Sequence, residues 1–159
     1  MIKKINFLFV TLFGIGKLKK IPGSYASLVT TIFLFFLFNI LNFSPNTILI
    51  GVLIIFLIAL YSVNIFVKDL DNKDPKEVVI DEFVGQSIPI CLYEIAHSGD
   101  KETNQVLTYY FIIFILFRIF DIVKPSPVNY YDKNFKNSFG VMMDDVCAGL
   151  YVVGVLVLY

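Results

Sequence analysis

The chain has 159 residues, 57% of them hydrophobic and 16% charged, with a formal net charge of zero and a mean hydropathy of +0.77. Soluble domains are roughly 45–50% apolar and about 25% charged, so this composition excludes an ordinary water-soluble globule and a disordered chain. The charge balance argues against nucleic-acid binding, and Cys91, Cys147 and the lone His97 are too few for a disulfide framework, a zinc site or two-histidine chemistry.

The first element, residues 5–13, is a short apolar run behind Lys3 and Lys4. No small-residue cleavage site follows it, so it reads as a helix on the membrane surface rather than a signal peptide. A glycine- and lysine-rich stretch (Gly14, Gly16, Lys17, Lys19, Lys20) then leads through Pro22-Gly23-Ser24 into residues 26–43, which carry no charge. A turn at Pro45 separates these from residues 46–67, again uncharged. Each run is long enough to cross about 30 Å of hydrocarbon at roughly 1.5 Å per residue. The charged stretch after Lys68 contains Asp69-Leu70-Asp71, which imitates the Asp-x-Asp of aspartyl-phosphate phosphatases. It follows a span rather than a strand and reads as a solvated loop. Residues 83–96 include Pro89 and Glu94 and form a shorter candidate, either a short or tilted span or a helix packed inside the bundle. Residues 106–117 are apolar and run on into Arg118-Ile119-Phe120-Asp121, and residues 146–159 are apolar throughout. The expected fold is all-α: a polytopic helical membrane bundle of four to five apolar helices plus a short N-terminal interfacial helix, in one domain over residues 1–159.

Charge counting orients it. With the N-terminus in the cytoplasm and residues 83–96 counted as a crossing, every basic residue except Lys101 falls on the cytoplasmic side. Glu94, Asp100 and Glu102 are the acids left on the far side. All the unusual polar clusters then share one face.

Those clusters carry the chemistry. Asp81-Glu82 and Asp144-Asp145 each read as opening an apolar helix. Acids in a first turn suit the helix dipole, but one acid suffices for that, and adjacent carboxylates at a membrane boundary repel and are costly to desolvate. With Asp121 they point either to a divalent cation or to caps and ion pairs. Oxygen donors without His or Cys clusters would favour Mg²⁺, or else Mn²⁺, over zinc. Arg118, Asp121 and Lys124 recur at i, i+3, i+6, the spacing of one helical face. They form an ion-pair ladder or a phosphate clamp, with Arg as a fork and Lys as a point charge. Gly23, Ser24 and Ser27 form a helix start with Ser24 as its cap, or a set of amides and hydroxyls for an anionic head group. Lys17, Lys19 and Lys20 suit anionic lipid, or snorkel as anchors. No Walker A sequence is present, so nucleotide chemistry has no support. Neither cysteine begins a phosphatase C-x5-R loop.

Four segments in order resemble the bacterial phosphatidylglycerophosphatase A family. They are Gly14, Gly16, Pro22-Gly23-Ser24, Ser27 and Leu28; Asp81-Glu82-Phe83-Val84-Gly85; Phe117-Arg118, Phe120-Asp121, Lys124-Pro125 and Pro127; and Gly140, Met142, Asp144-Asp145 and Ala148-Gly149. Lys19, Ser24 and Ala26 stand where the family usually has Pro, Thr and Gly. The resemblance implies a Mg²⁺-dependent phosphatase of the bacterial inner membrane, multi-pass, with its site facing the cytoplasm. Its substrate would be the lipid phosphatidylglycerophosphate, converted to phosphatidylglycerol and phosphate. The expected metal ligands are Asp81, Glu82, Asp121, Asp144 and Asp145. Arg118 and Lys124 neutralise the transferring group, and Gly23, Ser24 and Ser27 meet the head group. The rival reading is a small cation-coupled transporter or an inactive family member. A CDP-alcohol phosphotransferase is disfavoured because its aspartate spacing is missing.

Overall fold

The computed structural model describes residues 2–68, 75–97, 102–135 and 137–158, so the Asp69-Leu70-Asp71 segment lies outside the described residues. Among the described residues the protein is all helical, with α1 at Ile2–Val10, α2 at Pro22–Asn39, α3 at Pro45–Val67, α4 at Ile80–Ala96, α5 at Thr103–Val123, α6 at Val128–Asn134 and α7 at Ser138–Leu158. Helices α2, α3, α5 and α7 are long and apolar enough to cross a membrane. Their outer faces expose large apolar side chains such as Ile32, Leu57, Phe111 and Val157. Their inner faces hold small and hydroxyl residues, among them Ala26, Ser27 and Thr30 on α2, Ala59 and Ser62 on α3, and Gly140, Ala148 and Gly149 on α7. Lipid gives no hydrophobic drive for helices to associate, so close packing of small residues has to do that work.

Helix α4 is the centre of the bundle, packed against α2, α3, α5 and α7, and most of its residues are buried. The structure shows this segment as a helix packed inside the bundle. Its seam with α7 is backbone against backbone. Proline lacks an N–H, so Pro89 cannot donate to the carbonyl of Gly85, four residues back. Gly149 of α7 presses on that same carbonyl, where any Cβ would collide with it. A Cβ at Gly85 would lie 2.6 Å from the carbonyl oxygen of Asp145. The two helices touch here because both positions are glycine.

Several boundaries differ from the expected ones. Proline at the first helical position starts α2 and α3. Ser24 therefore lies inside the first turn of α2, and the cap position falls to Ile21 in a left-handed conformation (φ 43°). Helix α7 begins well before residue 146, at Ser138. Asn137 caps it: its side-chain oxygen accepts the Gly140 N–H at 3.1 Å and its carbonyl accepts the Val141 N–H at 3.2 Å. The short helix α6 has no counterpart in the apolar pattern. It is held by rings, with Tyr131 against Phe135 and Phe139.

The N-terminal segment braces the start of α4. The Val10 carbonyl accepts the Val79 N–H at 3.0 Å, and Gly16 lies so close to the Glu77 carbonyl that a Cβ would overlap it. Gly14 takes φ 99°, which suits glycine. Gly16 thus shapes a backbone contact and Gly14 a turn, and neither lines the acidic cavity described below.

At the opposite end of α4, the buried Glu94 carboxylate accepts a hydrogen bond from the Tyr110 hydroxyl at 2.9 Å. Tyr93 stacks on His97 and Tyr109. Removing a donor from a buried carboxylate costs about 1–3 kcal/mol. Tyr110→Phe is therefore expected to lower the unfolding midpoint in detergent while leaving catalytic turnover unchanged, because the polar cavity lies at the other end of α4.

Candidate active site

Helices α2, α4 and α7 begin at one end of the bundle, and α5 finishes there. Between them lies a cavity of about 410 Å³ whose walls include Asp81, Glu82, Arg118, Asp121, Lys124, Asp144 and Asp145. All seven expected catalytic residues, drawn from α4, the end of α5 and α7, therefore meet at one place.

The first carboxylate of each acidic pair is held by the N–H of the next residue. The Glu82 N–H donates to Asp81 Oδ1 at 3.1 Å, and the Asp145 N–H donates to Asp144 Oδ1 at 2.9 Å. Asp81 and Asp145 are buried and Glu82 is partly so, and one oxygen from each lies within 4.8 Å of the other two. The capping explanation fails for the second acidic pair. Asp144 and Asp145 stand about two turns inside α7, and a helix dipole acts mainly within the first turn.

Two cations close the constellation. Arg118 Nη1 is 2.9 Å from Asp121 Oδ2, one turn further along α5. The same nitrogen donates to Ser27 Oγ at 3.3 Å, while Ser27 itself donates to the Gly23 carbonyl at 3.0 Å. Lys124 is the C-cap of α5 in a left-handed conformation, φ 48°. Glycine would adopt that conformation more easily, but only a lysine there can swing its Nζ to Asp144 Oδ2, at 2.8 Å on α7. Strain of this kind, of order 1–3 kcal/mol, clusters at functional sites.

The head-group residues divide. Gly23 and Ser24 line the cavity. Their first-turn amides have no acceptor within the helix. A methyl at Gly23 would strike Glu82 Oε1 and lie 3.5 Å from Arg118 Nη1, so glycine is what lets α2 approach the charged groups. Ser27 is fully buried and sits behind Arg118, positioning it. Lys19 and Lys76 also line the cavity, and neither was among the expected site residues. Lysine-rich loops look alike in a sequence, and only the fold brings these two together.

The donor set suits a hard divalent cation. It consists of oxygens alone, gathered within 4.8 Å, and Glu82 Oε2 is buried with no hydrogen-bond partner among the described residues. Asp81, Glu82 and Asp145 would hold such an ion. Asp121 and Asp144, which share the expected ligand role, each face a cation of the protein.

The phosphatidylglycerophosphatase A profile matches residues 8–159. The chain belongs to the phosphatidylglycerophosphatase A family. A phosphatidylglycerophosphatase A of Haemophilus influenzae is 34% identical over 143 residues, covering 89% of this chain and 80% of the relative. The Escherichia coli phosphatidylglycerophosphatase A is 29% identical, over 91% of this chain and 77% of its own. A Bacteroides thetaiotaomicron protein provisionally named a phosphatidylinositol-3-phosphatase is 36% identical, over 94% and 91% of the two chains. No solved structure is significantly similar to the chain. As a member of the phosphatidylglycerophosphatase A family, the chain is a lipid phosphatase.

Within this phosphatase, Arg118 joins α2 to α5 through two contacts of one nitrogen. Lysine keeps the charge but has no planar fork. Arg118→Lys is expected to lower turnover by about 10–100-fold, as the loss of a supporting hydrogen bond does at metal sites, with little change in thermal stability. Steady-state phosphate release alongside an unfolding scan checks both parts.

Proposed function

We propose that this phosphatase hydrolyses the terminal phosphomonoester of phosphatidylglycerophosphate, giving phosphatidylglycerol and inorganic phosphate, with Mg²⁺ as cofactor. The observation that carries the reading is the gathering of Asp81, Glu82 and Asp145 beside Arg118 and Lys124 on one cavity. The names of the Haemophilus and Escherichia relatives supply the substrate.

Asp81, Glu82 and Asp145 would hold Mg²⁺, which would supply Lewis-acid stabilisation of the phosphoryl oxygens and lower the pKa of water there. The chain's own groups do the rest. Arg118 and Lys124 offset the charge that builds on the phosphoryl oxygens as water adds to phosphorus and the ester P–O bond breaks. Their partners Asp121 and Asp144 hold both cations in place, and a carboxylate outside the ligand set accepts the proton of the attacking water. The departing alcohol oxygen takes up a proton, so phosphatidylglycerol leaves neutral at that hydroxyl. The Gly23 and Ser24 amides, at the positive end of α2, face the anionic group.

The charge distribution supports a site on the cytoplasmic side of a bacterial inner membrane, because Lys19, Lys76 and Lys124 line the cavity and Lys17 stands beside it. A transporter reading is less favoured, since the five site acids share one end of the bundle and do not line a path through it.

A second reading changes the alcohol and keeps the chemistry. The Bacteroides relative matches this chain over nearly its whole length and carries an inositol-lipid name. Phosphate release from phosphatidylglycerophosphate and phosphatidylinositol 3-phosphate, compared at equal mole fraction in neutral detergent micelles, separates the two. A higher kcat/KM for phosphatidylglycerophosphate supports the proposal. A higher value for the inositol lipid overturns its head-group assignment, and hydrolysis of neither overturns the function.

A further inference from the structure

A second cavity, of about 510 Å³, adjoins the first. The two share Lys19, Pro22 and Lys76, and the second adds Lys17 from the 3₁₀ turn Ile15–Lys17. Its one acid is Glu77. Lys17 Nζ is 4.6 Å from the centre of the Phe7 ring, which sets the direction of its side chain. No ion pair to a described carboxylate engages Lys17, Lys19 or Lys76. The cations deeper in the cleft, Arg118 and Lys124, are each paired with an aspartate. The two adjoining cavities therefore have two electrostatic poles, one of carboxylates that would gather a divalent cation and one of ammonium groups with no ion pair to a described carboxylate.

We propose that the lysine pole binds the phosphodiester of the same lipid whose terminal phosphomonoester is cleaved at the carboxylate pole. The inference rests on the phosphatase reading above and adds a specificity site to it. A lipid with two phosphates separated by a small polyol carries two anionic groups at once. The carboxylate pole, loaded with its cation, takes the monoester, while Lys17, Lys19 and Lys76 meet the diester with charge-assisted hydrogen bonds. The Lys17 turn follows α1, whose apolar residues Ile5 and Leu8 are exposed. The lysines thus stand where a lipid's diester lies, between acyl chains and water. Discrimination follows: the subsite reads the feature that separates this lipid from a free phosphomonoester.

The test uses the full-length double variant Lys17→Gln, Lys76→Gln in neutral detergent, where no anionic surface contributes. With short-chain phosphatidylglycerophosphate, KM is expected to rise about tenfold or more, the loss expected for charged hydrogen bonds, with kcat within about twofold of wild type. Two inhibitors separate the poles. Short-chain phosphatidylglycerol keeps the diester and lacks the monoester, so its inhibition constant is expected to rise with KM. Inorganic phosphate addresses the carboxylate pole, and its constant is expected to stay unchanged. An unchanged KM, a fall in kcat alone, or equal weakening of both inhibitors overturns the diester subsite. Absence of turnover by the wild-type protein overturns the phosphatase reading instead.

Discussion

Asp145→Asn is expected to cut phosphate release at least about 100-fold and to abolish the stabilisation expected of Mg²⁺ in the wild-type protein. Asp145 is buried and brings one carboxylate oxygen within 4.8 Å of those of Asp81 and Glu82. Carboxylates so close repel when ionised, by about 4 kcal/mol for a pair 4 Å apart at an effective dielectric near 20. A bound cation relieves that repulsion and stabilises the fold by mass action. Asn removes one charge while keeping shape and volume. In EDTA the variant is expected to melt no lower than wild type, because it has lost repulsion rather than packing. Adding Mg²⁺ is expected to raise the wild-type midpoint and to leave that of the variant nearly where it was. Unfolding scans with and without Mg²⁺, run beside the activity assay, separate loss of the ion from loss of the fold. An equal Mg²⁺ response in both proteins would remove Asp145 from the ligand set.

Gly85→Ala is expected to be as damaging to activity and to cost stability as well. The added methyl would lie 2.6 Å from the Asp145 carbonyl oxygen and 2.9 Å from its Cβ. Backbone cannot step aside as a flexible side chain can, so α4 and α7 must part. Overpacking of this kind costs about 1–3 kcal/mol. The same displacement moves Asp81 and Glu82 away from Asp145, and a misplacement of about 1 Å in a catalytic constellation costs on the order of 100-fold in rate. Gly51→Ala and Gly154→Ala are the controls. Nothing lies within 4 Å of a Cβ at either position, both sit in helices, and alanine favours helix over glycine by about 1 kcal/mol. These two are expected to be neutral or stabilising, with full activity. Equal behaviour of Gly85→Ala and the controls would show that the α4–α7 seam does not set the geometry of the site.

Much of this design is legible in the amino-acid sequence itself. The apolar runs over residues 26–43, 46–67, 106–117 and 146–159 mark the four long apolar helices, because charge along a membrane helix is costly and rare. Asp81, Glu82, Arg118, Asp121, Lys124, Asp144 and Asp145 stand out as charges beside apolar helices, and they do share one cavity. What escapes the sequence depends on contacts between distant segments. Treating Asp144-Asp145 as a helix start misses the Asn137 cap and the two turns of α7 that bury both aspartates. The i, i+3, i+6 spacing of Arg118, Asp121 and Lys124 describes the Arg118–Asp121 pair. It does not describe Lys124, whose left-handed backbone turns it across to Asp144. Ser27 looks like a ligand to the head group because it follows a glycine-rich turn, but it faces inward and supports Arg118. Gly16, one of the residues of the family pattern, admits the Glu77 carbonyl. Local pattern reports the type of each residue, while partner and direction come only with the packing.

The most direct test is phosphate release from phosphatidylglycerophosphate by the purified protein in detergent, first with Mg²⁺, then with EDTA, then with Mg²⁺ restored. Release that stops in EDTA and returns with Mg²⁺ is the expected result, and it would justify mapping the five carboxylates individually. Undiminished release in EDTA would contradict the metal role assigned to Asp81, Glu82 and Asp145. No release from a sample shown to be folded would contradict the phosphatase itself.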